Sequence, residues 1–216
     1  ACPPYDVISS QEAREMAQGN PESFLHVDKP EIDLPEGTDP YSPAVYAKAR
    51  ENFIRFQQEG LLKQDATPHY YLYAQTMAGR TQYGLVAAVS TVEYDKGIIR
   101  KHELTRKDKE LDRSKHVQAL HATTGPVFLT YPDDPDIDRT VAGVISDFPV
   151  CSFMADDGIR HTFWVISDPD DMAKIEEAFK KIPVLYIADG HHRSAAAGNV
   201  AAMLRKKYPA QGEEAS

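Results

Sequence analysis

The chain passes from the apolar segment Val184-Leu185-Tyr186-Ile187-Ala188 straight into the polar turn Asp189-Gly190-His191-His192-Arg193-Ser194. The apolar run is typical of a buried strand, and the glycine permits a tight turn. Alanines at positions 195–197 favour a helix immediately after the turn. This stretch therefore predicts a strand over 184–188 that leads into a helix over 194–207.

Helices and strands alternate in the same way over the rest of the chain. Hydrophobic periodicity, capping residues and turn residues predict helices over 9–18, 45–59, 107–123, 140–146 and 169–181. The β-rich segments predict strands over 23–27, 69–77, 80–93, 98–100, 127–131, 150–155 and 161–165. Ala78-Gly79 has the composition of a hairpin turn, so the strands beside it should pair antiparallel. We therefore predict an α/β (α+β) fold in which helices flank a mixed β-sheet.

The length of the chain bounds its domain organisation. With 216 residues, it can form one large α/β domain or two intimately packed subdomains, which we place at about 1–131 and 132–216. The sequence begins at Ala1 without a methionine and ends in a polar tail. We therefore expect it to be a fragment of a longer protein.

The composition narrows the class of partner. A net charge of -9 disfavours nucleic acid as a partner, because a polyanion is repelled outside any local basic patch. The sequence has neither an apolar run of about 18–20 residues nor a signal peptide, so we expect a cytoplasmic protein with no membrane partner. Cys2 and Cys151 lie far apart without CxxC spacing, which supports neither a disulfide framework nor a zinc site.

The turn after the apolar strand carries the strongest signal for a ligand. The first turn of a helix presents unpaired amides and the positive end of the helix dipole, which favour a phosphate or a carboxylate. We therefore assign phosphate binding to Gly190, His191, His192, Arg193 and Ser194. The alternative is that Asp189 merely caps the helix while the imidazoles are solvated. Two adjacent histidines also suggest a metal ion, but the spacing fixes no further ligand, so no metal ligand is assigned.

A second polar cluster, Lys101-His102-Glu103-Leu104-Thr105-Arg106, follows a short apolar strand, where α/β folds place ligands. Glu103 beside His102 can act as a general base, and catalytic roles are assigned to both residues and to Asp189. Lys101 and Arg106 are assigned to phosphate binding.

The helix predicted after this cluster allows two interpretations. Arg113 can clamp a phosphoryl group together with Arg106. Equally, the segment can be a solvated, salt-bridged helix whose buried stripe is Leu111, Val117 and Leu120.

Two further segments are candidates for ligand contact. The prolines of Pro3-Pro4-Tyr5-Asp6-Val7 stiffen the backbone, so Tyr5 and Asp6 are assigned to ligand binding, with a packed N-terminal loop as an equal alternative. Thr123-Thr124-Gly125-Pro126 is a turn whose two hydroxyls can lie near phosphate; the alternative is that it is simply a turn. The sequence has neither a GxxxxGK[ST] nor a GxGxxG motif, so no standard nucleotide-binding motif is present.

These blocks together resemble an uncharacterised prokaryotic family, domain of unknown function 1015. The matching blocks are Pro3 to Val7, Asn20-Pro21 with Ser23 to His26, Lys101 to Glu103 with Thr105-Arg106, Thr124 to Val127, and Ala188 to Arg193. The Asp-Gly-His-His-Arg turn is also similar to the ParB/sulfiredoxin superfamily, which includes a free-serine kinase with a glutamate base. That similarity implies phosphate contacts by Gly190 to Ser194 and a ParB-like fold around the turn.

The residues and the resemblances together lead to two hypotheses of function. The first is a phosphotransferase that binds ATP or ADP with Mg²⁺ and transfers a phosphoryl group to a small hydroxyl compound such as serine. The alternative is a non-catalytic regulatory module that senses a nucleotide or another small anionic ligand through the same turn.

Overall fold

The computed structural model describes residues 2–209 of the chain. Across these residues the chain forms eight α-helices, one 3₁₀ helix and two β-sheets. The prediction of an α/β (α+β) fold with helices beside β-sheet structure is confirmed. Residue 1 and the polar tail over 210–216 lie outside the described residues.

The helices and strands follow one another along the whole described chain. The α-helices are α1 (Ser10–Ala17), α2 (Leu25–Asp28), α3 (Pro43–Gln58), α4 (Thr91–Asp95), α5 (Lys107–Leu120), α6 (Pro135–Val144), α7 (Pro169–Lys181) and α8 (His191–Lys207), and the 3₁₀ helix is Pro30–Asp33. The strands are β1 (Tyr70–Met77), β2 (Arg80–Val86), β3 (Ile99–Arg100), β4 (Phe128–Thr130), β5 (Cys151–Met154), β6 (Arg160–Ile166) and β7 (Leu185–Asp189).

The chain divides into two compact units, each built from separate segments of sequence. Unit 1 comprises Ala1–Gln64, Thr91–Leu129 and Tyr186–Ser216, and unit 2 comprises Asp65–Ser90 and Thr130–Leu185. The chain crosses from one unit to the other at four points, after residues 64, 90, 129 and 185. All candidate site residues named above belong to unit 1.

Unit 2 is built on a four-stranded sheet in the order β2-β1-β6-β5, with antiparallel pairing throughout. Ala78 and Gly79 lie at φ 50° and 79°, in the left-handed region that a tight hairpin turn uses. The predicted turn and pairing are confirmed. The sequence predicted that this strand extends to residue 93, but β2 ends at Val86. Val86 pairs with Tyr71, and β1 begins only one residue before Tyr71, so a longer β2 would have almost no partner strand.

The core of unit 2 follows from the period of two in its strands. Alternate side chains of β1 and β6 face one side of the sheet, where α6 and α7 cover them. The buried cluster consists of Leu72, Ala74, Val144, Trp164, Ile166 and Ile175.

Unit 1 contains two apolar clusters and a three-stranded sheet. One cluster joins α1, α2 and the 3₁₀ helix through Ala13, Ala17, Leu25 and Ile32. The other joins α2, α3 and α5 through Val27, Ala49, Phe56 and Leu120. The sheet has the order β3-β7-β4, so β7 is central and leads directly into α8. This order brings the segments that flank β3 and β4 to the turn after β7.

The strand predicted over 23–27 is wrong, because α2 occupies Leu25–Asp28. Short polar side chains take up backbone amides here: Asn20 accepts from the amide of Glu22, and Ser23 accepts from the amide of Leu25. Such local bonds favour turns and helix starts over strands.

The buried stripe predicted for α5 is also wrong in part. Leu120 is buried, but Leu111 is 57% exposed. The buried side chains of α5 are instead mostly polar, namely Asp112, Arg113, Ser114 and His116. Unit 1 therefore has a polar interior beside α5, which the hydrophobic pattern did not predict.

Two further observations concern the length and polarity of the helices and the state of the two cysteines. Within residues 2–209, every helix is too short or too polar to pass through a membrane. Cys2 and Cys151 are both free and exposed, which agrees with the expectation that they form no disulfide.

The turn at Gly190 depends on glycine for two reasons. Gly190 lies at φ +92°, and a Cβ there would come within 2.9 Å of Val127 Cγ1. Gly19 lies at φ +74°, and a Cβ there would meet nothing within 4 Å. An alanine at position 19 would therefore be strained only by its left-handed backbone conformation and not by a steric clash.

We expect Gly190→Ala to lower the free energy of unfolding by more than Gly19→Ala does. The backbone cost of a left-handed alanine is about 1–2 kcal/mol at either site, and the contact with Val127 adds to it only at Gly190. Urea denaturation of the two variants and the wild type measures both losses. Equal losses would show that Val127 moves aside at no cost.

Candidate functional site

The turn between β7 and α8 is held by a side chain of the helix itself. Gly190 is the N-cap of α8, and no side chain caps the helix there. Asp189 therefore does not act as the cap. It accepts a hydrogen bond of 2.6 Å from Arg193 Nη2, and Arg193 Nη1 donates to the carbonyl of Pro126. The first amides of α8 are thus left without a capping side chain, which is the arrangement that favours an anion.

Two glycines make room for Arg193, whose side chain is 15% exposed. A Cβ at Gly125 would lie 3.1 Å from Arg193 Cδ, and a Cβ at Gly190 would lie 3.2 Å from its Cζ. Arg193 is therefore a packed residue that ties the turn over 123–126 to the start of α8.

A cavity of about 40 Å³ lies beside Arg193 in unit 1. It is lined by Pro4, Tyr5, Asp28, Arg113, His116, Val117, Thr123, Thr124, Gly125, Arg193 and Ala196. Two arginines and one aspartate supply the charged groups of this lining. The cavity therefore combines a net positive lining with the hydroxyls of Tyr5 and two threonines.

Arg113 reaches this cavity through a buried polar network on α5. Its Nε donates to Asp112 Oδ2 at 3.0 Å, and Tyr46 donates to Asp112 Oδ1 at 2.8 Å. The guanidinium of Arg113 lies 3.9 Å from the centre of the Tyr5 ring. Buried charges need such partners because their desolvation is costly. The network fixes Arg113 and Tyr5 against each other.

The Tyr5 hydroxyl is an unsatisfied donor. It is buried and has no hydrogen-bond partner among the described residues. Burial raises the pKa of Tyr5 to about 12, although the charge of Arg113 acts in the opposite direction. Tyr5, which is one of the lining residues, therefore keeps a neutral hydroxyl with a free donor at physiological pH.

The other side of the cavity carries a histidine and a hydrogen-bonded aspartate. His116 Nε2 lies 2.9 Å from the carbonyl of Val27. Thr124 donates to Asp28 Oδ1 at 2.6 Å. Burial, with a contribution from Arg113, lowers the pKa of His116 below its ordinary value. The imidazole is therefore neutral and serves as a donor to Val27.

A separate cluster lies at the start of α8. His191 Nδ1 is 3.0 Å from Glu103 Oε1, and the rings of His191 and His102 are 4.5 Å apart at 88°. His191 is 4% exposed, and its Nε2 has no partner within residues 2–209. Burial lowers the pKa of His191, while Glu103 opposes this effect. The structure thus brings together three of the predicted site residues, His102, Glu103 and His191.

The cavity and this cluster lie on different faces of α8. Residues two apart in an α-helix project about 200° apart around its axis. Arg193, two positions from His191, and Ala196, five positions from it, therefore lie about 160° and about 140° around the axis from His191, and both line the cavity. The two sites adjoin at the N-terminal end of the helix, where His191 and Arg193 share the first turn.

The remaining predicted residues lie around these two sites. Arg106 is exposed and pairs with Asp108 at 2.7 Å, while its backbone amide donates to His192 Nε2. Lys101 lies over the ring of Tyr94. Ser194 Oγ is buried with no partner among the described residues. Asp6 is exposed.

The comparisons with known proteins identify a family without identifying an activity. Residues 1–216 match the family described as "Protein of unknown function (DUF1015)". The chain belongs to this family. No match was found among curated proteins or among solved structures. The similarity to the ParB/sulfiredoxin superfamily therefore remains a hypothesis, and function must be argued from the site.

The histidine beside the cavity should make stability depend on pH. His116 is neutral in the folded protein, whereas in the unfolded chain it gains a proton near its ordinary pKa of 6.5. The unfolded state then binds more protons, so the folded state loses stability as pH falls below about 6.5. We expect His116→Gln to show a smaller loss between pH 7.5 and 5.5.

Urea denaturation at several pH values measures this effect. The control is His121→Asn, because His121 is exposed and lies at φ 55°, a conformation that asparagine tolerates. The control should retain the pH dependence of the wild type. The same dependence in His116→Gln would mean that His116 is not the group responsible.

Proposed function

We propose that unit 1 binds the phosphoryl end of a small phosphate-bearing ligand in the cavity beside Arg193. The observation that carries this proposal is the lining of that cavity. Arg113 and Arg193 both face it, while their carboxylate partners Asp112 and Asp189 are not among its lining residues. The two guanidiniums therefore offer donors to a ligand without losing the ion pairs that hold them.

The size of the cavity limits which part of the ligand can enter it. Its volume of about 40 Å³ is room for about three water-sized groups, since one water needs about 10–15 Å³. One phosphoryl group has a similar number of oxygens. A nucleoside would have to lie outside, so ATP or ADP would enter by its phosphates, with Mg²⁺ between them.

Neutral donors support the same assignment. The buried hydroxyl of Tyr5 has no partner among the described residues, and a phosphoryl oxygen would supply an acceptor. The amides at the start of α8 lack a capping side chain and favour a second phosphate at the helix end. A ligand with two or more phosphates therefore fits better than inorganic phosphate.

We further propose that the bound nucleotide donates its terminal phosphoryl group to a small hydroxyl compound such as serine. Glu103 is the proposed general base, oriented by its 3.0 Å contact with His191. It would accept the proton of the hydroxyl as the new oxygen–phosphorus bond forms and the bond to the leaving nucleotide breaks. The Cα atoms of a helix lie only about 2.3 Å from its axis. An inner phosphate would therefore occupy the cavity, and the terminal phosphoryl group would extend across the helix end towards Glu103.

We expect Arg193→Ala to weaken the binding of ADP by about 1.5–3 kcal/mol, or about 10–150-fold, as is usual for hydrogen bonds to charged groups. Arg193→Lys should restore only part of the affinity, because a point charge cannot reproduce the guanidinium fork. Calorimetric titration of ADP, ATP and inorganic phosphate into each folded protein measures these values.

The matched control is Arg55→Ala, which removes another arginine of unit 1 that pairs with a carboxylate four positions away along the chain. It should bind as the wild type does. Because Arg193 is packed, its variants need a circular dichroism check that they are folded at the temperature of titration. Equal affinities for the wild type and a folded Arg193→Ala would place the ligand elsewhere.

Turnover separates the enzyme from the regulatory alternative. With ATP or ADP and free serine, we expect product in the wild type and a loss of about 10²–10⁴-fold in rate for Glu103→Gln, the usual contribution of a general base. Phosphorus NMR detects the transfer directly. Binding without any product across a panel of hydroxyl compounds would favour a sensing module.

A further inference from the structure

The cluster at the start of α8 has the donor set of a metal centre. Histidine nitrogens and a carboxylate oxygen from His102, Glu103 and His191 all lie within 4.8 Å of one another. Two imidazoles with one carboxylate form a set that binds zinc and related ions in catalytic sites, with one position left for water or substrate. This cluster faces away from the proposed phosphate cavity and was not assigned from the sequence.

We propose that His102, Glu103 and His191 bind a divalent transition-metal ion of the zinc class. His191 is the fixed member, since it is buried on α8, whereas His102 and Glu103 are exposed on the segment after β3. Ligands at about 2.0–2.1 Å from an ion can be at most about 4.2 Å apart. The exposed side chains need only a small movement to reach this spacing.

The contacts of His191 agree with this assignment. Its Nδ1 and Glu103 Oε1 are 3.0 Å apart, a spacing that two ligands of one ion can have. The ion would take the place of the hydrogen bond between these atoms, and the neutral imidazole would then carry its proton on Nε2. The Nε2 atom is buried without a partner among the described residues, and Nδ1 is the ring atom that lies beside Glu103.

Imidazole ligands also distinguish this site from a magnesium site. Mg²⁺ prefers oxygen ligands and retains several waters, whereas imidazole suits zinc and its neighbours. The Mg²⁺ proposed with the nucleotide would therefore be a different ion, held by the phosphates. Metal binding by the cluster does not depend on the proposed phosphate site. A role of the bound ion in phosphoryl transfer would rest on the proposed function.

The test is titration of Zn²⁺ alone, and of Co²⁺ with its visible spectrum, into metal-free protein that carries Cys2→Ser and Cys151→Ser. Both cysteines are exposed, and thiolates would otherwise compete for the ion. We expect one ion to bind per chain. His102→Ala, Glu103→Gln and His191→Ala should each weaken it by more than tenfold, since even an outer-shell partner contributes about 10–100-fold.

The control is His121→Asn, which should bind as the wild type does, and excess Mg²⁺ should not displace Co²⁺. If His191→Ala fails to fold, the variants of the exposed His102 and Glu103 decide the result. Absence of binding, unchanged affinity in those two variants, or displacement by Mg²⁺ would overturn the assignment.

The failure of this proposal can be told apart from failure of the proposed function. ADP binding to metal-free protein and its loss in Arg193→Ala concern the cavity alone. Zinc binding with no nucleotide concerns the cluster alone. If the cluster binds metal, Glu103 holds the ion through one carboxylate oxygen, and its other oxygen stays available as the proposed base. If it binds none, the base assignment stands unchanged.

Discussion

Arg193 is the side chain on which the arrangement of the site depends. It donates to the carbonyl of Pro126 and to Asp189, and so it connects the turn before β4 to the end of β7. Gly125 and Gly190 leave the space that its side chain fills. The packed guanidinium of Arg193 therefore contacts the left-handed turn at Gly190 and the start of α8, and Arg193 also lines the cavity.

A second constraint is the polar interior beside α5. Burying a charge without a partner is strongly unfavourable, and even a paired charge carries a desolvation penalty. Arg113 donates to Asp112, which also accepts a hydrogen bond from Tyr46. The guanidinium of Arg113 also lies over the ring of Tyr5. Such a network stabilises a fold less well than apolar packing would. Its position next to a cavity is what a binding site would require.

Much of the fold could be predicted from the sequence because its signals are local. The hairpin at Ala78-Gly79, the helix over 169–181 and the strand before Gly190 all follow from turn residues and periodicity. The strand expected over 23–27 failed because short polar side chains bind nearby amides there. α8 begins at His191, three residues before the predicted start, because Gly190 is already its N-cap.

The site could be predicted only in outline. The turn over 189–194 and the segment over 101–106 were both chosen from residue type, and the contact between Glu103 and His191 brings them together. The order β3-β7-β4 explains this approach, but pairing of distant strands leaves no signal in a single sequence. Asp28 and His116 were missed for the same reason. The poor apolar pattern of α5 was the one available hint that its buried face is polar.

An anion bound between Arg113 and Arg193 at the start of α8 should be detected most directly by titrating ¹⁵N-labelled protein with ADP and following the amide resonances by NMR. We expect the largest shifts on Tyr5, Gly125 and the first turn of α8, and we expect them to saturate together. Shifts that fall on unit 2, or none at saturating ADP, would contradict binding at this site.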